Sequence, residues 1–307
     1  MWVLRSAATA ATLAVIVWHL GFGPFVDGIR AVDGAALAAA AAIGAVTTLC
    51  CAWRWTIVAR CLELRLSLPS AVAAYYRSLF LNVTLPGGVV GDVHRGVSHG
   101  RDVGAVGVAL RAVAWERTAG QVVQAVLTVA VLAALPSPVR SSVPAIAIAL
   151  VAAAIVVLVV ARTRPRGRSR WSRVRSAIAG DVRAALLARK AWPAIVFASA
   201  LVVAGHAVTF VIAARTAGAG APVSVLVPLA LLAMLAMTLP SVAGWGPREG
   251  ATAWAFAAAG LGAAQGIATA VVYGVMVLVA SLPGAVVLVS AWVPRTALAQ
   301  PDGPADA

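Results

Sequence analysis

Acidic residues are scarce: ten Asp and Glu stand against 24 Lys and Arg in 307 residues. Charged residues of both signs make up only 11% of the chain, where soluble domains carry about a quarter. That shortage excludes an ordinary water-soluble globule. Cysteine is rarer still. Cys50, Cys51 and Cys61 are odd in number and form no C-x-x-C pair, so neither a disulfide framework nor a zinc site is expected. The sequence has no glycine-rich nucleotide loop, no catalytic triad and no metal-spaced cluster. His94 and His99 lie five apart and make no ligand pair. No enzyme chemistry, catalytic residue, metal or cofactor is therefore expected.

What is present is apolar. The chain is 62% hydrophobic with a mean hydropathy of +0.95, which reads as an integral membrane protein. Its formal charge is +14. In a soluble chain that would raise nucleic acid as a partner. Here ten of the 24 basic residues fall in one loop, 162–190, beside a single acid, Asp181. Basic loops stay cytoplasmic, so this charge reports orientation and no nucleic acid is expected. A patch for anionic lipid, worth about 1 kcal/mol per basic residue near the surface, is the functional alternative.

A run over Ala7–Val26 follows Arg5 and reads as a span or a signal peptide; no A-x-A site follows it. Ala35–Val58 ends in Trp53, Arg54, Trp55, Arg60 and Arg65, an edge typical of a cytoplasmic interface. Val103–Leu135 reads as one long helix, stopped by Pro136-Ser137-Pro138. Further runs cover Ser142–Ala161, Trp192–Ala214, Pro222–Leu239, Ala251–Gly260 and Gly262–Val293, the last with a kink expected at Pro283-Gly284. The layout is one integral membrane domain: first half 1–161, basic loop 162–190, second half 191–295, polar tail 296–307.

Two stretches do not fit plain spans. Asn82 to Gly96 holds Pro86, three glycines in five residues (Gly87, Gly88, Gly91), Asp92, His94 and Arg95. Thr238 to Gly250 holds Pro240, Gly244, Gly246, Pro247, Arg248 and Glu249. Aligned without a gap, they share Thr-Leu-Pro and a glycine ten residues after the proline. Each also carries a pair of adjacent ionisable residues just before that glycine. Charge placement sets their topology. With the basic loop in the cytoplasm, the chain between Ser67 and Arg101 begins and ends on the cytoplasmic side. It is expected to be a re-entrant hairpin turning at Pro86-Gly87-Gly88. The same argument makes 222–260 a hairpin entering from outside. The expected fold is all-α and polytopic, with about six full transmembrane helices and two re-entrant hairpins in an inverted repeat, a transporter architecture. Both termini and loop 162–190 would be cytoplasmic. A chance match of two tripeptides is the plain alternative.

Ionisable residues at membrane depth are costly and mark function. Arg77, Asp92, His94, Arg95, Glu116, Arg117, Arg248 and Glu249 qualify. Arg95 and Arg248 are expected to meet one anionic group, with Glu116 and Glu249 as counter-ions. Snorkelling to the interface is the alternative for Arg95 and Arg117. Arg117, Gln121, Gln124 and Thr128 share one helical face, as do Ser199, His206 and Thr209, and Gln265, Thr269 and Tyr273. These stripes line a polar cavity or bond helix to helix.

Asn82, Leu85-Pro86-Gly87-Gly88, Gly91-Asp92 and Arg95, then Trp115-Glu116-Arg117, Leu239-Pro240, Gly244, Gly246 and Arg248-Glu249-Gly250, resemble the lysylphosphatidylglycerol synthase transmembrane region. The resemblance covers about Ala35 to Val293. It implies a flippase-like membrane domain that binds and moves a lipid, either an anionic phospholipid or a lipid-linked sugar, in the cell (inner) membrane. The candidate substrate-binding residues, taken from the charged positions, the polar face of the long helix and the hairpin motifs together, are Asn82, Pro86, Gly91, Asp92, Arg95, Glu116, Arg117, Gln121, Arg248 and Glu249. Asp92 stands where the family's pattern has Glu. No residues remain for the family's aminoacyl-transferase domain, so lipid aminoacylation is not expected. The alternative is a non-transporting accessory subunit of a membrane glycosyltransferase or lipid-modifying enzyme.

Overall fold

Among the described residues, four helices are long and apolar enough to cross a membrane. They frame a computed structural model that describes residues 17–19, 21–85, 88–162, 180–181, 191–238 and 246–290. The described chain is helical, with no strand among the described residues.

A short helix, α1 (Gly23–Ala31), comes first. Next is α2 (Gly34–Cys61), 28 residues opened by Asp33, whose carboxylate accepts the Ala36 amide at 2.6 Å. At 1.5 Å per residue α2 runs about 42 Å, ample for a hydrocarbon layer of about 30 Å. Ser67 caps α3 (Leu68–Thr84), and Pro69 sits in its first turn, where a missing N–H costs nothing. Then follow α4 (Val90–Asp102), α5 (Val106–Ala134), a 3-10 turn at Arg140–Ser142 and α6 (Val143–Arg162). The second half holds α7 (Trp192–Thr216), α8 (Val223–Ala236), α9 (Pro247–Ala258), α10 (Ala263–Ser281) and α11 (Pro283–Ser290). Pro283 cannot donate to the helical ladder, so the last span breaks there as the sequence implies.

The two interrupted stretches are helical hairpins. Helices α3 and α4 pack on each other across residues 85–89, and α8 and α9 across 237–246. The prolines Pro86 and Pro240, with residues 239–245, lie outside the described residues. Most of loop 162–190, the tail and most of the Ala7–Val26 run do so too.

The packing repeats itself. Exchange α2–α5 with α7–α10 in order, and the principal packing pairs map onto each other. Helix α2 packs on α7. The pair α4–α5 becomes α9–α10, α2–α10 becomes α7–α5, and α3–α10 becomes α8–α5. Even α1 against α10 has its counterpart in α6 against α5. The contact of α11 with α3 has no such mate among these pairs. The offset of 154 residues that aligns Thr84 with Thr238 also brings the ranges of α2, α3 and α4 onto α7, α8 and α9 to within about four residues, and that of α5 onto α10 and α11 taken together.

Each half has its own apolar core. Phe210, Leu226, Leu229, Phe256, Tyr273 and Met276 fill the second, and Trp55, Tyr75 and Val113 fill the first. The sequence reading missed α1. Its start lies inside the run assigned to the first span, and it packs on α10.

Candidate functional site

The first hairpin brings an arginine and an aspartate against the middle of α5, and α2 brings a second arginine. Glu116 of α5 sits at the centre with 0% exposure. Its Oε1 accepts from Arg54 Nε at 2.9 Å, Arg54 Nη2 at 2.5 Å and Tyr75 OH at 3.3 Å. Its Oε2 accepts from Arg95 Nη2 at 2.7 Å. Asp92 is the second acid. Its Oδ1 accepts from Arg95 Nε at 3.1 Å and Ser78 Oγ at 3.3 Å, its Oδ2 from Asn82 Nδ2 at 3.1 Å and Arg117 Nη2 at 2.5 Å. The Arg95 guanidinium lies between the rings of Trp55 and Tyr75, 4.6 and 4.3 Å from their centroids. Such stacking favours a cation removed from water.

Local sequence explains the closeness. The Gly91 amide donates to Asn82 Oδ1 at 2.8 Å, so Asn82 ties both the amide and the carboxylate of α4 to α3. A Cβ at Gly91 would overlap the Ser78 carbonyl, so only glycine lets α4 approach α3 this closely.

The second hairpin builds a smaller cluster. Gly246, at φ +105°, precedes α9, and its amide donates to Glu249 Oε2 at 2.6 Å. Glu249 Oε1 accepts from Arg248 Nε at 2.9 Å and Nη2 at 2.5 Å. The Arg248 guanidinium lies 5.7 Å from the Tyr273 ring, and Tyr273 OH meets His206 Nδ1 at 3.0 Å. One detail repeats across the halves. Gly120 and Gly274, again 154 residues apart, each leave room for a guanidinium, that of Arg54 and that of Arg248.

Several expectations change. Arg95 does not snorkel, since it is 0% exposed. Arg95 and Arg248 have different described ion-pair partners, Asp92 and Glu116 for the first and Glu249 for the second. Glu116 and Glu249 are counter-ions, as expected, but Glu116 serves Arg54 as well as Arg95. Gln121 is exposed and joins neither cluster. Pro86 lies outside the described residues. Arg54, read as an interface residue, is 5% exposed and donates to Ser199 Oγ at 2.9 Å, which links α2 to α7. Its depth was the available signal: it lies two turns inside the end of α2, where Arg60 already marks the edge. Tyr75, Ser78 and Trp55 were also missed. Asp181, the acid of the basic loop, pairs with Arg111 at 2.7 Å and accepts from Trp115 Nε1 at 3.1 Å.

The polar stripes are used unevenly: Thr209 and Thr269 donate to carbonyls of their own helices, while others bond across elements. Ser199 takes Arg54, His206 meets Tyr273, and Gln265 donates to the Ala217 carbonyl at 2.6 Å. A cavity of about 70 Å³ does lie between α2, α3, α7 and α10. Thr47, Thr48, Tyr75, His206, Thr209 and Ser281 are among its lining residues, and the rest of its wall is largely apolar.

The spans, the repeated packing and the buried ion clusters define a polytopic helical membrane protein with a charged interior. The chain belongs to the family of the lysylphosphatidylglycerol synthase TM region, whose family model matches residues 2–284. No curated protein and no solved structure matches it.

Proposed function

We propose that the protein binds a membrane lipid through its anionic headgroup and carries it between the leaflets of the cell membrane. One observation carries this reading: two helical hairpins with exchangeable packing partners each place a buried arginine–carboxylate cluster against a long span. Opposed broken segments of this kind are how many transporters build a site at mid-membrane. Irregular backbone at that depth needs protein or a wet cavity around it. Family membership supports a lipid-related role.

In this reading the chain makes about six full crossings. The first hairpin enters from the cytoplasm and the second from outside. The termini and loop 162–190 are cytoplasmic. The protein makes and breaks no covalent bond and uses no cofactor. Its partner is the lipid; an enzyme that makes or consumes that lipid would act beside it.

The test is reconstitution into vesicles of phosphatidylglycerol and phosphatidylcholine with a trace of fluorescent phosphatidylglycerol. A membrane-impermeant quencher then reports how fast inner-leaflet lipid reaches the outside. Wild type should speed the exchange, and Arg95→Gln should abolish the gain. Exchange no faster than in protein-free vesicles overturns the reading and favours a non-transporting accessory subunit.

A further inference from the structure

The first cluster is not electrically balanced. Three guanidiniums, Arg54, Arg95 and Arg117, face two carboxylates, Asp92 and Glu116. The residual charge is +1, in a network whose members other than Arg117 are at most 6% exposed. Its donors are also incompletely used. Arg95 Nη1 and Arg117 Nε are both buried without a hydrogen-bond partner, and both belong to guanidiniums held on Asp92. Arg77 Nε of α3 is a third buried guanidinium nitrogen without a hydrogen-bond partner. A buried water would satisfy an orphaned N–H, but it would not cancel the charge. A surplus positive charge at membrane depth is costly and marks a site for a counter-charge. The second cluster differs, since Arg248 and Glu249 stand one to one.

We propose that the first cluster is the binding site for one singly charged anion, the phosphodiester of a lipid headgroup, gripped by Arg95 and Arg117. This deepens the lipid-binding reading and rests on it. A phosphodiester carries one negative charge, which cancels the surplus. A phosphate monoester or a pyrophosphate carries more and would leave a net negative charge inside the protein. The lipid as source follows from the flank of the site. The Arg117 side chain is 40% exposed. Beside it, Thr118, Val122 and Val126 recur every four residues on one exposed face of α5. That row gives an acyl chain an apolar track leading from the headgroup position. It also assigns the two hairpins unequal work: the first grips the phosphate, and the second, already neutral, does not.

The experiment is equilibrium binding in maltoside micelles at about pH 8.5, well above the second ionisation of a phosphate monoester near pH 6. Three probes are compared: dioctanoyl phosphatidylglycerol, dioctanoyl phosphatidic acid and glycerophosphoglycerol, the headgroup diester without chains. Phosphatidylglycerol should bind about tenfold or more tighter than phosphatidic acid, because the dianion leaves one buried charge unmatched. The chainless diester should bind about tenfold weaker still. Arg117→Gln makes the cluster neutral and should remove most phosphatidylglycerol binding, whereas Arg117→Lys keeps the charge and should preserve the order of the two lipids. Asp92→Asn raises the surplus to two and should move the preference toward phosphatidic acid. Circular dichroism and gel filtration check that each variant is folded, and the Lys and Gln pair decides the matter if Asp92→Asn is not.

Phosphatidic acid binding as tightly as phosphatidylglycerol overturns the proposal. So does Arg117→Gln binding like wild type, which would mean that the cluster is merely hydrated. Equal binding of the chainless diester overturns the lipid as source. The outcome separates cleanly from the translocation reading. Phosphatidylglycerol that binds selectively but does not cross vesicles sinks only the translocation, and phosphatidylglycerol that crosses without selective binding sinks only this site.

Discussion

Replacing Glu116 with Gln removes one charge and almost no volume. Glu116 takes two bonds from Arg54 and one from Arg95, all with both partners buried. Breaking a buried ion pair from one side costs about 3–5 kcal/mol, because the remaining charge keeps its desolvation penalty. Here two guanidiniums lose their anion at once, and the surplus charge of the cluster doubles. Asp92 still holds Arg95. The expected loss is therefore at the upper end, about 5 kcal/mol. Denaturant titration of the purified protein in mixed micelles, followed by tryptophan fluorescence, reads it. Arg54→Met alone should cost less, since Glu116 keeps Arg95. The Arg54→Met/Glu116→Gln double variant should cost less than the sum of the two singles by about 2 kcal/mol. A loss below about 1 kcal/mol for Glu116→Gln is what an exposed pair would give. It would refute the claim that this cluster lies in a dry interior.

Two further outcomes follow from the same packing. Gly91→Ala should destabilise the protein more than Gly274→Ala, measured in the same titration. At Gly91 the new methyl meets a backbone carbonyl that cannot move, and at Gly274 it meets the flexible end of Arg248. His206→Phe should cost only about 0.6 kcal/mol, the average for a helix-to-helix hydrogen bond in a membrane. A much larger loss would mean that the His206–Tyr273 contact organises the second cluster.

The sequence carries the spans because their apolar runs are long and their ends are charged or proline-marked. Predicted and observed limits differ by three residues or fewer for α2, α5 and α7. The hairpins are readable because glycine, proline and charge interrupt otherwise apolar chain. Arg54 is misread because an arginine near aromatic residues looks the same at an interface and in a core. What separates the two is a carboxylate 62 positions away in the chain, and periodicity carries no such information. Gln121 is misread for a related reason. The buried face of α5 runs through Ala109, Ala112, Val113, Glu116, Ala119 and Val123, and Gln121 falls off its edge. The repeat shows as one tripeptide and one glycine in sequence, yet as an exchange of the principal packing partners in the fold. Shape is repeated while side chains are not: Arg95 lies at the position of Glu249, and Glu116 at that of Ala270.

The most direct test of the opposed hairpins uses two exposed positions at their bases, Val103 and Ala257, which are again 154 residues apart. Each is changed to cysteine alone, after Cys50, Cys51 and Cys61 are replaced by alanine. An impermeant thiol reagent is then applied to right-side-out and inside-out vesicles. Val103→Cys should react only from the cytoplasmic side and Ala257→Cys only from outside. Reaction of both from one side would contradict the inverted arrangement and the translocation path built on it.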